Sequence, residues 1–213
     1  SLQYICANNI KNEIGSITYT QMLNTKGGIE ADLTVTCVDK NKFRIVTGSV
    51  VRTHDKKHIL KHLNKSIKFQ DITEKFACLG IFGPKSRDLV SKLFGKFFSN
   101  NDFKFGTGKN ITFNGIEMWF QRISYVGELG WEIYIPIEKS ISIYELIISK
   151  ERKFGLVHAG AHAMDILRME KGYLHWGHDI SPAENPFEAG ISFFTKLNKK
   201  DDFIGKQYLT NNN

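Results

Sequence analysis

Residues 16–47 read SITYTQMLNTKGGIEADLTVTCVDKNKFRIVT, and the way this stretch divides sets the architecture. Ser16 to Leu23 is rich in β-branched and aromatic side chains, which suit a strand. Asn24 to Gly28 is a turn, where a glycine pair supplies positive φ without steric cost. Ile29 to Val38 alternates apolar and polar residues, as a half-buried strand does. A second turn at Asp39 to Asn41 leads to a third strand, Phe43 to Thr47, so the stretch predicts a hairpin meander. Side chains two apart on a strand share a face. Ile29, Ala31, Leu33 and Val35 therefore face a core, and Glu30 and Asp32 face away from it. Thr53 or Asp55 caps a helix running to about Leu63.

Strands and helices continue to alternate further along. Phe76 to Phe82 is a short apolar strand, broken by Gly83-Pro84, and Lys85 to Leu93 has helical spacing. Ile111 to Phe113, Met118 to Tyr125 and Trp131 to Ile135 read as strands, Ser140 to Ser149 and Ala159 to Glu170 as helices. Hairpins mixed with helices predict an α+β fold with antiparallel sheets rather than a doubly wound parallel sheet. The 213 residues suffice for one sizeable domain or two small lobes.

Composition narrows the classes. The hydrophobic fraction of 41% is that of a globular protein, and no apolar run approaches the roughly 20 residues of a membrane span. The opening SLQYICANNIKNEIGS lacks the pattern of a secretory signal. Three well-separated cysteines, Cys6, Cys37 and Cys78, argue against a disulfide framework and for a reducing compartment. The expected location is the cytoplasm, or the mitochondrial matrix in a eukaryote. A net charge of +7 attracts anions, but the lysines are scattered among acids, which disfavours nucleic acid as the partner.

Several segments carry more chemistry than a core requires. Glu30 and Asp32 form either a solvated strand face or a carboxylate pair aimed into a cleft. Tyr125 to Glu132 (YVGELGWE) is either a hairpin rim or a receptor for a flat heterocycle, since a carboxylate can accept two adjacent N–H bonds. Arg168 lies on a helix ahead of a turn holding Trp176, and Glu184 and Glu188 lie in the loop PAENPFEAG. His54, His58 and His62 recur at helical spacing, as do His158 and His162. Without a His-Glu-x-x-His or Cys-x-x-Cys pattern, no metal is expected. Phosphate-cradling glycine loops and Gly-x-Ser-x-Gly turns are absent.

TYTQMLNTKGGIEADLTV at Thr18 to Val35 resembles the folate-binding aminomethyltransferase family, which includes the glycine cleavage T-protein. RISYVGELGWEIYIP at Arg122 to Pro136, LRMEKGYLHWGHDI at Leu167 to Ile180 and NPFEAGISFFTKLNKKDDFIGKQYL at Asn185 to Leu209 follow in the family's order. They are similar above all to the folate domains of dimethylglycine and sarcosine dehydrogenases. The resemblance implies the family's folate-binding fold with ferredoxin-like elements. It also implies a first lobe from residues 1–70 and 151–213 and a second from 71–150. The family's additional N-terminal stretch and its C-terminal β-barrel are expected to lie outside these residues.

The resemblance further implies tetrahydrofolate in a central cavity, pterin innermost. Asp32 matches the functional carboxylate near the reacting nitrogens, Tyr19 a cavity-lining tyrosine, and Tyr125 and Glu132 the aromatic and the acid that contact the pterin. Arg168 matches a recurrent arginine, and Trp176 replaces a tyrosine of the T-protein. At its ordinary pKa of about 3.9, Asp32 would be fully ionised at neutral pH. The implied reaction is one-carbon transfer from an amine-derived donor, giving 5,10-methylenetetrahydrofolate. The implied partners are a polyglutamylated folate and either a lipoyl carrier protein or a flavin dehydrogenase domain, with FAD only in that domain. A folate-binding module without catalysis and a tRNA-modifying relative are the alternatives.

Overall fold

The computed structural model describes residues 1–212, with the side chains of 151 and 152 left aside. The chain forms two compact units. One joins residues 1–70 to 174–213, and the other is the continuous stretch 71–173. Residues 151–173 thus group with the second unit, where the resemblance placed 151 onward in the first. The fold is α+β, with all strand pairing antiparallel within the two sheets.

In the first unit a short helix α1 (Leu2–Ile5) precedes β1 (Ile17–Leu23), β2 (Ile29–Asp39) and β3 (Lys42–Val46), which form a sheet in chain order. Burial along β2 alternates as the sequence predicted: Ile29, Ala31, Leu33 and Val35 are buried, Glu30 and Asp32 only partly. One core gathers Ile5, Met22, Leu33, Val35 and Ile59, and another Leu23, Ile29, Ile180, Phe203 and Leu209. Burying each such aliphatic or aromatic side chain contributes about 1.5–3 kcal/mol, which sets the register of the hairpin.

The two glycines of the hairpin turn do different jobs, a refinement of the expectation that both supply positive φ. Gly27 has φ +79, whereas a Cβ on Gly28 would stand 2.1 Å from the Pro182 carbonyl oxygen. The turn is closed by the Asn24 side chain, which accepts from the backbone N–H groups of Lys26 and Gly28. Beside it, the Ile29 N–H donates to the Glu184 carbonyl at 3.0 Å. Glu184 and Glu188 spend their carboxylates on the same loop, accepting from Ser181 and from the Asn185 N–H.

Helix α2 (Arg52–His62) follows, and neither Thr53 nor Asp55 caps it. Its N-cap position is Val51, and Asp55 sits in the first turn with its side chain turned inward. Its carboxylate accepts a hydrogen bond from the Thr47 hydroxyl and lies 3.0 Å from His54 Nδ1 instead of capping the helix.

The second unit carries β4 (Phe76–Phe82), α3 (Ser86–Phe94), β5 (Gly108–Phe113), β6 (Ile116–Gln121) and β7 (Gly130–Pro136). Its sheet has the order β4-β7-β6-β5. Helices α4 (Ser140–Ile148), α5 (Glu151–Phe154) and α6 (Ala161–Glu170) complete it, and α7 (Lys206–Asn212) ends the first unit. Its core packs Leu89, Phe94, Phe98, Phe120, Trp131, Ile133 and Ile143. The strand expected from Met118 to Tyr125 ends at Gln121. Backbone bonds with Gly106 and Thr107 hold Arg122, and the Ser124 hydroxyl then accepts from the Val126 N–H to form a turn. Tyr125 is therefore a loop residue.

Candidate functional site

Asp32 lies on β2 directly opposite Gln21 of β1. The Gln21 amide donates to the Asp32 carboxylate at 2.8 Å, and the Tyr19 hydroxyl bonds to it from two residues away on the same strand. The Tyr19 ring is itself braced edge-on against Phe194, with centroids 4.5 Å apart. Gln21 is fully buried, and its amide must present the NH2 group to the acid, which leaves its own carbonyl oxygen without a partner. Asp32 keeps some solvent exposure, yet enough protein surrounds it that burial pushes its pKa up to about 6. The bonds from Tyr19 and Gln21 offset part of that rise, and the nearby Asp55 charge adds to it. This corrects the expected ordinary aspartate: near neutrality Asp32 is an anion that readily takes a proton.

Trp176 stands beside the same hairpin. Its indole N–H donates to the Ile29 carbonyl at 2.8 Å, and its ring lies 5.1 Å from that of His54. Neither contact was legible in the sequence, because residues 29, 54 and 176 meet only in the folded unit.

In the second unit Glu132 of β7 lies opposite Gln121 of β6 and next-but-one to Tyr134. The Tyr134 hydroxyl donates to Glu132 at 2.7 Å, and the Gln121 side chain also bonds to it. Burial raises the Glu132 pKa, and these two bonds lower it in part. Burial also drives the Tyr134 phenol well above its usual range, with Glu132 and Cys78 adding to the rise, so it stays a donor. Glu128 sits instead on the loop, 3.7 Å from the Lys171 ammonium. Tyr125 is half-buried in that loop.

Arg168 is only 4% exposed. Its guanidinium grips Asp165 at 2.7 and 2.8 Å and donates to the Tyr173 carbonyl at 3.0 Å, fixing the turn after α6. A depression of about 270 Å³ in this unit is lined by Phe105, Arg122, Ser124, Glu128 and Leu129. Among the described residues, no three of His, Cys, Asp and Glu gather as metal ligands, and no helix is long and apolar enough to cross a membrane. All three cysteines are free thiols.

Sequence reasoning missed Gln21, Gln121 and Tyr134. Their signal was the strand register, which a single sequence does not display.

The chain thus presents, on an antiparallel α+β scaffold, a partly desolvated carboxylate clasped by two side chains of the neighbouring strand. The chain matches the GCVT N-terminal domain family over residues 1–199 and belongs to it. It is 37% identical over 211 residues to mitochondrial dimethylglycine dehydrogenase of Homo sapiens, covering 98% of this chain and 24% of that protein. It is 33% identical over 211 residues to an aminomethyltransferase of Halothermothrix orenii, covering 98% of this chain and 58% of that protein. The crystal structure of glycine cleavage system aminomethyltransferase T from Bartonella henselae superposes with a TM-score of 0.81 at 25% identity, over 98% of this chain and 56% of that one. The chain thus spans about a quarter of the dehydrogenase and somewhat over half of the two aminomethyltransferases.

Proposed function

We propose that this chain binds tetrahydrofolate and supports one-carbon transfer to it from an amine-derived donor, forming 5,10-methylenetetrahydrofolate, with Asp32 as the catalytic carboxylate. The observation that carries the reading is the Asp32 clasp. A general base works best with a pKa near the operating pH, and burial sets this one at about 6. In this reaction N5 attacks the electrophilic donor carbon and N10 closes the ring. A CH2 unit replaces the two N–H hydrogens: with an iminium donor both leave on the amine nitrogen, and with an aminomethyl thioether one leaves on the ammonia and the other on the freed thiol, so no oxidant is consumed. Asp32 takes an N–H proton and returns it to the departing nitrogen.

Tyr19 and Gln21 hold that carboxylate in place. Tyr125 and Trp176 offer flat faces to rings, and Glu132 accepts the pterin's adjacent N–H donors. Arg168 contributes by holding the Tyr173 turn. The net charge of +7 suits a polyglutamyl tail. The donor comes from a flavin dehydrogenase domain, which would hold the FAD, or from a lipoyl carrier. The mitochondrial location in the human relative's name suits a matrix location in a eukaryotic host.

A second reading is a folate-binding module that traps the one-carbon unit without catalysing its transfer. Its support is chemical: formaldehyde adds to tetrahydrofolate without a catalyst, so holding the two together is most of the task. Asp32→Asn separates the two. Loss of product formation with folate binding retained supports the transferase, and loss of binding with no rate above the uncatalysed reaction supports the module.

A further inference from the structure

The sheet of the second unit has a face turned away from its core, and Glu132 lies in the middle of it. Side chains two apart on a strand share a face. Leu79 and Ile81 of β4 and Ile133 and Ile135 of β7 pack into the core. Cys78, Gly80 and Phe82 of β4 therefore line the other face, together with Gly130, Glu132 and Tyr134 of β7. The register sets Gly80 directly opposite Glu132, and Phe82 opposite Gly130. A Cβ added to Gly80 would collide with Cε2 of the Phe82 ring, and one added to Gly130 with Cδ1 of the same ring. The ring thus fills the space left by the side chains that both glycines lack. Side chains directly opposite on an antiparallel pair are neighbours, with Cβ atoms about 4.5–5.5 Å apart. A ring seated where a Gly80 side chain would begin is therefore a neighbour of the Glu132 carboxylate.

An aromatic ring packed over glycine shields backbone in other sheets as well. Here two further facts bear on it. Among the described residues, Phe82 joins none of the three hydrophobic cores, although it is half-buried. The acid beside it is already oriented, because the Tyr134 hydroxyl donates to Glu132 Oε2 at 2.7 Å. The end of β4 is also anchored: the Gly83 N–H and the Ser86 hydroxyl both donate to the Leu129 carbonyl, at 2.8 and 2.9 Å. A flat apolar surface beside one oriented polar group is the composition of a small-molecule site.

We propose that Phe82 is a ligand-binding residue whose ring takes the face of a flat heterocycle while the N–H edge of that heterocycle meets Glu132. The ligand class is a fused pyrimidine with adjacent N–H donors. In the functional reading above, on which this inference rests, it is the pterin of tetrahydrofolate. The ring supplies the face contact and the carboxylate the edge contact, so together they fix both the plane and the direction of the heterocycle. Gly80 and Gly130 belong to the site because a side chain at either position displaces the ring.

The test measures binding of two compounds to the whole chain: tetrahydrofolate, and 6-methyltetrahydropterin, which keeps the N–H edge and lacks the benzoylglutamate. Phe82→Leu keeps apolar bulk and removes the flat face. It should weaken both compounds by the same factor, roughly three- to tenfold, whereas Phe82→Tyr should bind both as the unaltered chain does. Gly80→Ala moves the ring with Phe82 itself unchanged and should weaken both as well. Gly80 lies outside the left-handed region, so its backbone accepts alanine even if Phe82→Leu does not fold. In the complex of the unaltered chain, the Phe82 ring protons should show nuclear Overhauser contacts to the pterin. Absence of those contacts, unchanged affinity in folded Phe82→Leu or Gly80→Ala, or a loss confined to tetrahydrofolate overturns the proposal and leaves folate binding standing. An unaltered chain that binds neither compound overturns the functional reading itself, and the role of Phe82 with it.

Discussion

The two units solve the same problem in parallel and with different surroundings. In each, a carboxylate on one strand sits opposite a glutamine of the neighbouring strand and takes a tyrosine hydroxyl bond: Asp32 with Gln21 and Tyr19, Glu132 with Gln121 and Tyr134. In each, burial raises the pKa and the clasp restrains the rise. The difference lies behind them. Asp32 has a second layer of ionisable side chains, His54, Asp55 and Glu30, whereas Tyr134 beside Glu132 is a phenol held protonated. A carboxylate with ionisable neighbours is suited to moving a proton. One backed by neutral donors is suited to accepting fixed hydrogen bonds. The same clasp thus stands in two different electrostatic settings.

The largest effect that could break this comparison is on rate. Asp32→Asn should reduce product formation by about 10²–10⁴-fold, while Glu132→Gln acts mainly on folate affinity. Equal rate losses in the two variants would erase the division of labour. Glu30→Gln, on the same face as Asp32, should cost no more than about threefold by the same assay.

The next effect is on binding. An amide at position 132 sets a donor against the pterin's donors, so Glu132→Gln should weaken folate binding by about 1.5–3 kcal/mol. Glu128, paired at the loop surface with Lys171, should matter less when changed to Gln. Calorimetric titration of both variants checks the order, and a larger loss at Glu128 moves the recognition acid to the loop.

Stability distinguishes the units in another way, since the first is assembled from both ends of the chain and the second is continuous. Lys199, 8% exposed, donates to the carbonyls of Gln3, Cys6 and Asn8 and so ties the two ends together. Burial lowers its pKa to about 8, which leaves it mostly charged at neutral pH. Lys199→Met strands those carbonyls and should cost about 2–3 kcal/mol. Hydrogen exchange should show the loss in residues of the first unit while the β4–β7 amides keep their protection.

The smallest effect concerns pH. The raised pKa of Asp32 means the folded state holds that proton more tightly than the unfolded chain does. Its ionised form therefore costs stability above about pH 6, and the cost vanishes as pH falls below about 4. Asp32→Asn should accordingly raise the melting temperature at pH 7 and change it little at pH 4. The gain is on the order of 1 kcal/mol after allowance for solvent screening. Catalysis should show the same group, with the rate rising through about pH 6. A variant no more stable than the parent at pH 7 would falsify the desolvated carboxylate.

Local pattern was enough for much of this. Alternation from Ile29 to Val35 identified the faces of β2, and the glycine pair marked the hairpin, because both are short-range consequences of strand geometry. The same local rules failed where distant groups intervened. Asp55 looked like a helix cap and instead turns to Thr47 and His54. Tyr125 looked like the end of a strand, but the turn at Ser124 removes it from the sheet.

The sequence alone determined the class of fold, the outward face bearing Asp32, and the family, since periodicity and motif order are written along the chain. Tertiary structure decided what those residues can do. Proton affinity depends on which charges and dipoles surround a carboxylate, and Gln21, Asp55, His54 and Trp176 reach the neighbourhood of Asp32 only through strand register and packing.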